Sequence, residues 1–404
     1  MEPTKKIIIK RKKKKNFLKE NFFSKYKLSN DELFSFKKNG FIIIKNAISS
    51  EENYLFKKEI WDTILKFPFS KEINFDIKDY DKDLSEKDIE DIQKFYPNID
   101  NFGAMNIPPF FHLHHMWKAR QNPNIFVKFA QLLKNHKIWC SLDRVSVKLP
   151  GNGNSEFCHW DSDPWFWEDQ SFEPLQGILS LCDTKFFCCP GTHTIEFSKN
   201  FQKNYSYLKP TKGKRDYVSL KKGYPDPLKI SASMEEFKLN SGDLIIFSSR
   251  LIHESKQNMS KKIRYVQYIS FEPARNNQNN KIYQNNKKRI KEKYENKNID
   301  ELKDRIESFS TGKNPLYLPS GCMMNIFSKN YLVFHSKLLN DFSKRFKKDL
   351  LQKYKYKSGK NKDKEIDIMY NYNSNQIVLE NGEKLYIPFK LNYYGKRILG
   401  IKNW

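Results

Sequence analysis

Three stretches of this chain carry residues whose types and spacing could do chemistry. The first is Phe157-Cys158-His159-Trp160-Asp161. On a β-strand, residues two apart point to the same face, so His159 and Asp161 can ligate one ion together. The second is Gly242-Asp243-Leu244-Ile245-Ile246-Phe247, a strand that delivers His253 just past its end. The third is Arg264, which opens the strand Tyr265–Phe271. Two histidines and one carboxylate on one face of an octahedron leave three positions open, which suits Fe(II) chemistry that must take both an oxoacid and dioxygen. The far carboxylate of such an oxoacid needs a cation. Arg264 offers a permanently charged fork, with the Ser255 hydroxyl beside it, and Lys148 on the strand before His159 is the next cation to test. Because His253 sits near one strand's end and Arg264 begins the next, a hairpin is expected to bring the guanidinium toward the metal pocket. Each residue alone has an ordinary structural explanation, since His-X-Asp recurs by chance and a lone histidine is more often a satisfied core residue. Their joint order along the chain is the signal.

Elements that could position these residues are legible around them. Ser29 with Glu32 fits a capping box before a short helix, Gly40–Lys45 reads as a strand, and Ser49 with Glu52 opens a second helix. Residues 70–100 are acidic and read as a loop. Between 116 and 136, Met116, Trp117, Ile125, Phe126, Phe129, Ala130 and Leu133 suit an amphipathic helix interrupted by Pro123. Short strand-like runs follow at Ser141–Leu149, Phe157–Asp161, Leu175–Cys182, Phe186–Cys189, Asp243–Phe247 and Tyr265–Phe271, separated by turn residues. The expected fold is therefore mainly β with flanking helices, a sandwich or jelly roll. The organisation reads as a basic disordered tail over 1–28, a catalytic domain over 29–275, a charged helical linker over 276–310, and an extension over 311–404 packed on the barrel.

Composition sets limits. Hydrophobic residues make up 38% and aromatics 15% of 404 residues, enough for a sizeable core. No apolar run approaches the roughly 18 residues of a membrane span, and the basic N-terminus lacks the apolar stretch of a secretory signal. The six cysteines show no Cys-X-X-Cys spacing, and Cys188-Cys189 reads as small buried hydrophobes near a strand. An intracellular, cytoplasmic chain with free thiols is expected. The net charge of +26 suggests polyanion partners, yet the lysines scatter instead of forming one stripe, as an A/T-rich coding sequence would produce. The run Lys10-Arg11-Lys12-Lys13-Lys14-Lys15 is the exception, and it reads as a nuclear address or a nonspecific nucleic-acid contact.

Taken with their order, these stretches resemble the phytanoyl-CoA dioxygenase family of 2-oxoglutarate oxygenases. The resemblance runs through Gly40–Asn46, Trp117–Pro123, His159-Trp160-Asp161-Ser162-Asp163-Pro164, Pro190-Gly191-Thr192-His193, Gly242-Asp243-Leu244, and His253-Glu254-Ser255 to Arg264, covering about residues 30 to 275. It implies a cupin-like double-stranded β-helix, iron on His159, Asp161 and His253, and 2-oxoglutarate held by Ser255 and Arg264. It also places the Pro-Gly-Thr-His segment near the active site, making His193 a candidate for supporting the ligands. The segment Asp183–Phe186 departs from the family by lacking a glycine-rich turn, and the lysine-rich tails lie outside its pattern.

The implied reaction consumes 2-oxoglutarate and dioxygen and hydroxylates a C–H bond of a small-molecule or lipid-like substrate. The branched acyl thioester of the family's name does not carry over, because fold does not fix substrate. Asp161 argues against a halogenase, which would leave that carboxylate position vacant for halide. Two other readings stand beside this one. An oxidative demethylase of nucleic acid would carry a second arginine further along the Arg264 strand, where this chain has Ser270. A silent polyanion-binding scaffold would have no need of an intact ligand set.

Overall fold

The computed structural model describes residues 17–19, 21–64, 80–95, 113–140, 145–151, 158–168, 170, 172–211, 218–220, 223, 225–274, 350–355, 365–371, 376–379 and 392–398. The basic run at 10–15, residues 141–144, Phe157, the 276–310 segment and most of 311–404 lie outside the described residues.

Two antiparallel sheets face each other. The larger runs β1 (Phe41–Ile44), β9 (Leu244–Ser248), β5 (Leu175–Ser180), β11 (Arg264–Pro273) and β2 (Ile138–Cys140), with β3 (Val145–Lys148) also paired to β11. The smaller runs β7 (Val218–Leu220), β4 (Cys158–Trp160), β10 (Ile252–Glu254), β6 (Thr184–Cys189) and β8 (Glu235–Leu239). With β1, β2 and β7 set aside as additions, consecutive strands alternate between the sheets except at β6 and β8, which pair with each other in the small sheet, the winding of a double-stranded β-helix. β12 (Leu350–Lys355), β13 (Glu365–Asn371) and β14 (Gln376–Leu379) form a third antiparallel sheet.

Alternation along β11 shows how each face is used. Tyr265, Gln267, Ile269 and Phe271 point outward, and helices cover them. The Tyr265 hydroxyl accepts from Trp61 Nε1 of α2 (Ser50–Ile64) at 2.8 Å. Gln267 Nε2 donates to the Met116 carbonyl of α4 (His114–Arg120) at 3.4 Å, and Phe271 packs on Phe129 of α5 (Pro123–Leu132). α5 lies so close that a Cβ on Gly177 would stand 2.9 Å from the Phe129 ring and 3.0 Å from the Ile269 carbonyl. The alternate residues, Arg264, Val266, Tyr268 and Ser270, line the space between the sheets. The outer face of the small sheet carries Cys158, Trp160 and Ile252, packed against Phe201 of α6 (Ile195–Asn204).

The helix starts follow their local signals. Ser29 and Glu32 exchange both capping-box bonds at the head of α1 (Asn30–Asn39), and Ser49 and Glu52 do the same for α2. Asn122 caps α5 with Pro123 in its first turn, so the 116–136 pattern becomes two helices. α1 ends on Gly40 at φ +83°, where an added Cβ would also lie 2.6 Å from His193 Nδ1. Only glycine fits there.

Four expectations need correction. Residues 86–95 form α3 (Glu86–Phe95), not loop; Ser85 and Asp88 cap it reciprocally, a carboxylate one methylene shorter than the expected pattern. β2, β7 and β10 are strands of three residues, too few to show alternation, and the five-residue β8 was also not expected. His253 does not trail the strand of Leu244–Ser248; it lies on its own strand, β10, in the opposite sheet. For the same reason Arg264 is not across a hairpin from His253, and the segment joining β10 to β11 crosses between the sheets.

The fourth concerns where order begins. Phe23, on a 3-10 turn over Asn21–Tyr26, is 1% exposed and packs edge-on against Phe126 of α5 and Tyr394 of α7 (Tyr393–Ile398). Gln131 holds both backbone groups of Leu28. The ordered domain thus starts before residue 28, because apolar anchors interrupt the basic composition. We expect Phe23→Ala to cost about 3–5 kcal/mol in a urea unfolding titration. Phe22→Ala, at a ring 63% exposed, should stay within about 0.5 kcal/mol.

Candidate metal centre

The antiparallel register of β4 and β10 sets His159 directly opposite His253. Their ring centroids are 4.4 Å apart at 49°. Asp161 follows one residue beyond the end of β4, and its carboxylate closes the group. Oδ1 lies 3.7 Å from His159 Nε2 and Oδ2 lies 3.4 Å from His253 Nε2. One donor atom from each of the three residues falls within 4.8 Å of the others, the single such cluster among the described residues.

The surroundings fix the donors' directions. His253 Nδ1 stands 3.0 Å from the Leu251 carbonyl, which can only accept, so Nδ1 carries the proton and Nε2 is left as the ligating lone pair. Phe186 lies nearly parallel to the imidazole at 5.9 Å, and Phe247 contacts it at 4.9 Å. β10 itself is anchored by Thr192, whose Oγ1 accepts from Ile252 N at 3.0 Å and donates to the Cys189 carbonyl at 2.7 Å. Gln176 of β5 reaches across from the larger sheet, its Nε2 donating to Asp161 Oδ2 at 2.8 Å. Burial by itself would push the Asp161 carboxyl up. The contact with His253, the charge of both imidazoles and the Gln176 bond outweigh it and hold the group well below the usual carboxylate range. Two imidazole nitrogens and an ionised carboxylate oxygen, converging with no thiolate among them, are a donor set that fits Fe(II).

Away from the centre, Arg264 and Lys148 are cross-strand partners on β11 and β3. Lys148 Nζ donates to Ser255 Oγ at 3.0 Å, and Arg264 Nη2 approaches the same oxygen at 3.5 Å. Burial lowers the Arg264 pKa, against smaller opposing effects from Tyr268 and Cys182. Two positively charged groups thus meet at one hydroxyl on an inward face.

His193 sits in the turn after β6 with its ring against Gly40, buried, and its Nδ1 finds no hydrogen-bond partner among the described residues. The described ligand contacts come instead from the Leu251 carbonyl and Gln176. Neither was singled out by sequence reasoning. The one signal for Gln176 was its amide on the inward-pointing phase of a largely apolar strand, Leu-Gln-Gly-Ile-Leu-Ser, where Ser180 is the other polar side chain. Burial raises the Cys140, Cys182 and Cys189 thiols to about 11, so they behave as packed hydrophobes, not ligands.

Residues 36–266, over half the chain, match the family model for phytanoyl-CoA dioxygenase (PhyH). A Dictyostelium discoideum protein provisionally named phytanoyl-CoA dioxygenase is 26% identical over 311 residues, covering 67% of this chain and 82% of that protein. Ava biosynthesis cluster protein O of Aspergillus versicolor is 23% identical over 254 residues, covering 59% and 76%. Among solved structures, EctD from S. alaskensis with 2-oxoglutarate and 5-hydroxyectoine aligns at TM-score 0.36 and 15% identity, covering 61% of this chain and 77% of EctD.

Proposed function

The chain belongs to the phytanoyl-CoA dioxygenase family of iron- and 2-oxoglutarate-dependent dioxygenases, and from that membership we propose a residue-by-residue reading of its active site. His159, Asp161 and His253 hold the iron. Ser255 and Arg264 hold the far carboxylate of 2-oxoglutarate, with Lys148 beside them. The substrate is a small or lipid-like molecule, and the outcome is hydroxylation of one of its C–H bonds. The observation that carries this reading is the pairing of two sites on the inward faces of the two sheets. The converging His-Asp-His donors and the cationic corner of Arg264 and Lys148 are joined by the short segment from His253 to Ser255.

Iron, 2-oxoglutarate and dioxygen together supply the oxidising chemistry, converting the oxoacid to succinate and carbon dioxide while one oxygen atom enters the substrate. The protein's own tasks are binding, orientation and exclusion of water. The Leu251 carbonyl keeps the His253 proton on Nδ1 and its lone pair on Nε2. Phe186 and Phe247 wall one side of that ring and keep water from it. The Arg264 fork fixes the oxoacid at the end away from the iron, leaving its keto-acid end to chelate. No described feature favours a nucleic-acid substrate, and the position where a second arginine would serve that role is the buried Ser270.

Two measurements test this reading. Asp161→Ala and His253→Ala should each keep the melting temperature of the metal-free protein within a few degrees while abolishing Fe(II) binding and succinate formation, since a three-ligand set has no spare member. Wild-type iron affinity in either variant would remove that residue from the set. Arg264→Leu should retain iron but weaken 2-oxoglutarate binding by roughly ten- to a thousandfold, as loss of a bidentate charged pair worth about 1.5–3 kcal/mol per bond requires. Anaerobic titration of the Fe(II)-loaded variant with 2-oxoglutarate reads this directly. Unchanged affinity would shift the role to Lys148.

A further inference from the structure

Asp161 differs from the two histidines in how it is held. His159 and His253 stand on paired strands, whereas β4 ends at Trp160 and the Asp161 backbone lies in a bend beyond it. Sheet hydrogen bonding therefore does not fix the carboxylate. Gln176 can. It lies on β5, a central strand held between β9, where its register partner is Phe247, and β11, where it is Ser270. Its Nε2 donates to Asp161 Oδ2 at 2.8 Å and to Ser249 Oγ at 3.0 Å. An ionised carboxylate only accepts, so the amide's NH2 end must face it, and both of its protons are used. Ser249 is itself fixed, its N–H donating to the Pro174 carbonyl at 2.8 Å just before β5 begins.

We propose that Gln176 is the positioning residue of the metal centre: its amide, oriented by Ser249, clamps one carboxylate oxygen of Asp161 and sets the carboxylate's rotamer before metal arrives. This rests on Asp161 being an iron ligand, as read above. The clamp also has a chemical consequence. A neutral donor holds the carboxylate without adding charge of its own to the centre. Oδ2 carries the amide bond, and Oδ1 lies on the His159 side. The same short segment, Ser249 to His253, thus supplies the amide's lock, the carbonyl that orients His253, and His253 itself.

The test compares Fe(II) affinity of the whole protein by anaerobic competition with a chromophoric chelator, for wild type, Gln176→Met, Ser249→Ala, the double variant and Asp161→Ala. Methionine keeps the length of the side chain and removes both donors. Loss of a ligand's supporting hydrogen bond typically costs ten- to a hundredfold in metal affinity, and Gln176→Met should fall in that range. Ser249→Ala should lose less. The double variant should match Gln176→Met alone, because Ser249 acts only through the amide. The melting temperature of the metal-free protein should stay within a few degrees throughout, while the upward shift caused by added Fe(II) shrinks in the same order as affinity. Gln176→Met binding within twofold of wild type, while Asp161→Ala loses iron, would overturn the clamp and leave the ligand assignment standing. If Asp161→Ala also bound normally, the ligand assignment itself would fall. Should Gln176→Met fail to fold, Ser249→Ala decides: unchanged affinity there overturns the proposal, and a partial loss at unchanged metal-free stability supports it.

Discussion

Two imidazoles face each other across the β4–β10 ladder, and the remaining features of the site are arranged around that pair. Because side chains alternate along a strand, a slip of one residue in this ladder would send His159 or His253 to the outer face, among the Trp160, Phe201 and Ile252 side chains. Register here is consequently a chemical constraint as well as a folding one. Several contacts enforce it. Trp160 and Ile252, one residue off in phase, are buried in the outer cluster and cannot exchange places with histidines without loss of apolar burial. Thr192 holds the Ile252 amide, and β6 pairs with β10 on its other edge through all three of its residues.

The larger sheet contributes in the other direction. Its outward residues are committed to the helices through Trp61, Met116 and Phe129, which pins the phase of β11 and so turns Arg264, Val266, Tyr268 and Ser270 inward. Arg264 and Lys148 then stand opposite one another on β11 and β3. Their shared Ser255 hydroxyl lies two residues from His253, so the covalent chain itself sets the distance between the cationic corner and the imidazoles.

How much of this was legible in the sequence varied with the size of the signal. The capping boxes at Ser29 and Ser49 and the strands with clear alternation rest on local patterns, and the structure has them where local chemistry puts them. The His159–Asp161 spacing was read as one strand, whereas β4 ends at Trp160 and Asp161 lies in the bend after it. β10 was not legible, since three residues cannot show a period, and with it went the crossing that places His253 and Arg264 on opposite sheets. Phe23 was hidden by the lysines around it, because composition averages over a window whereas burial is decided residue by residue. Gln176 and the Leu251 carbonyl could not be found from motifs. Their roles arise from a contact between sheets and from a backbone atom, neither of which residue type encodes. No helix among the described residues is long and apolar enough to cross a membrane.

The central claim is that this site couples iron to 2-oxoglutarate. The most direct measurement follows 2-oxoglutarate and succinate in air with the purified protein reconstituted with Fe(II), without any added substrate and at high protein concentration. The geometry predicts slow succinate formation that requires both protein and Fe(II), equals the 2-oxoglutarate consumed, and disappears when Zn(II) fills the site instead. Iron bound at one equivalent with no succinate formed above the protein-free rate would contradict it.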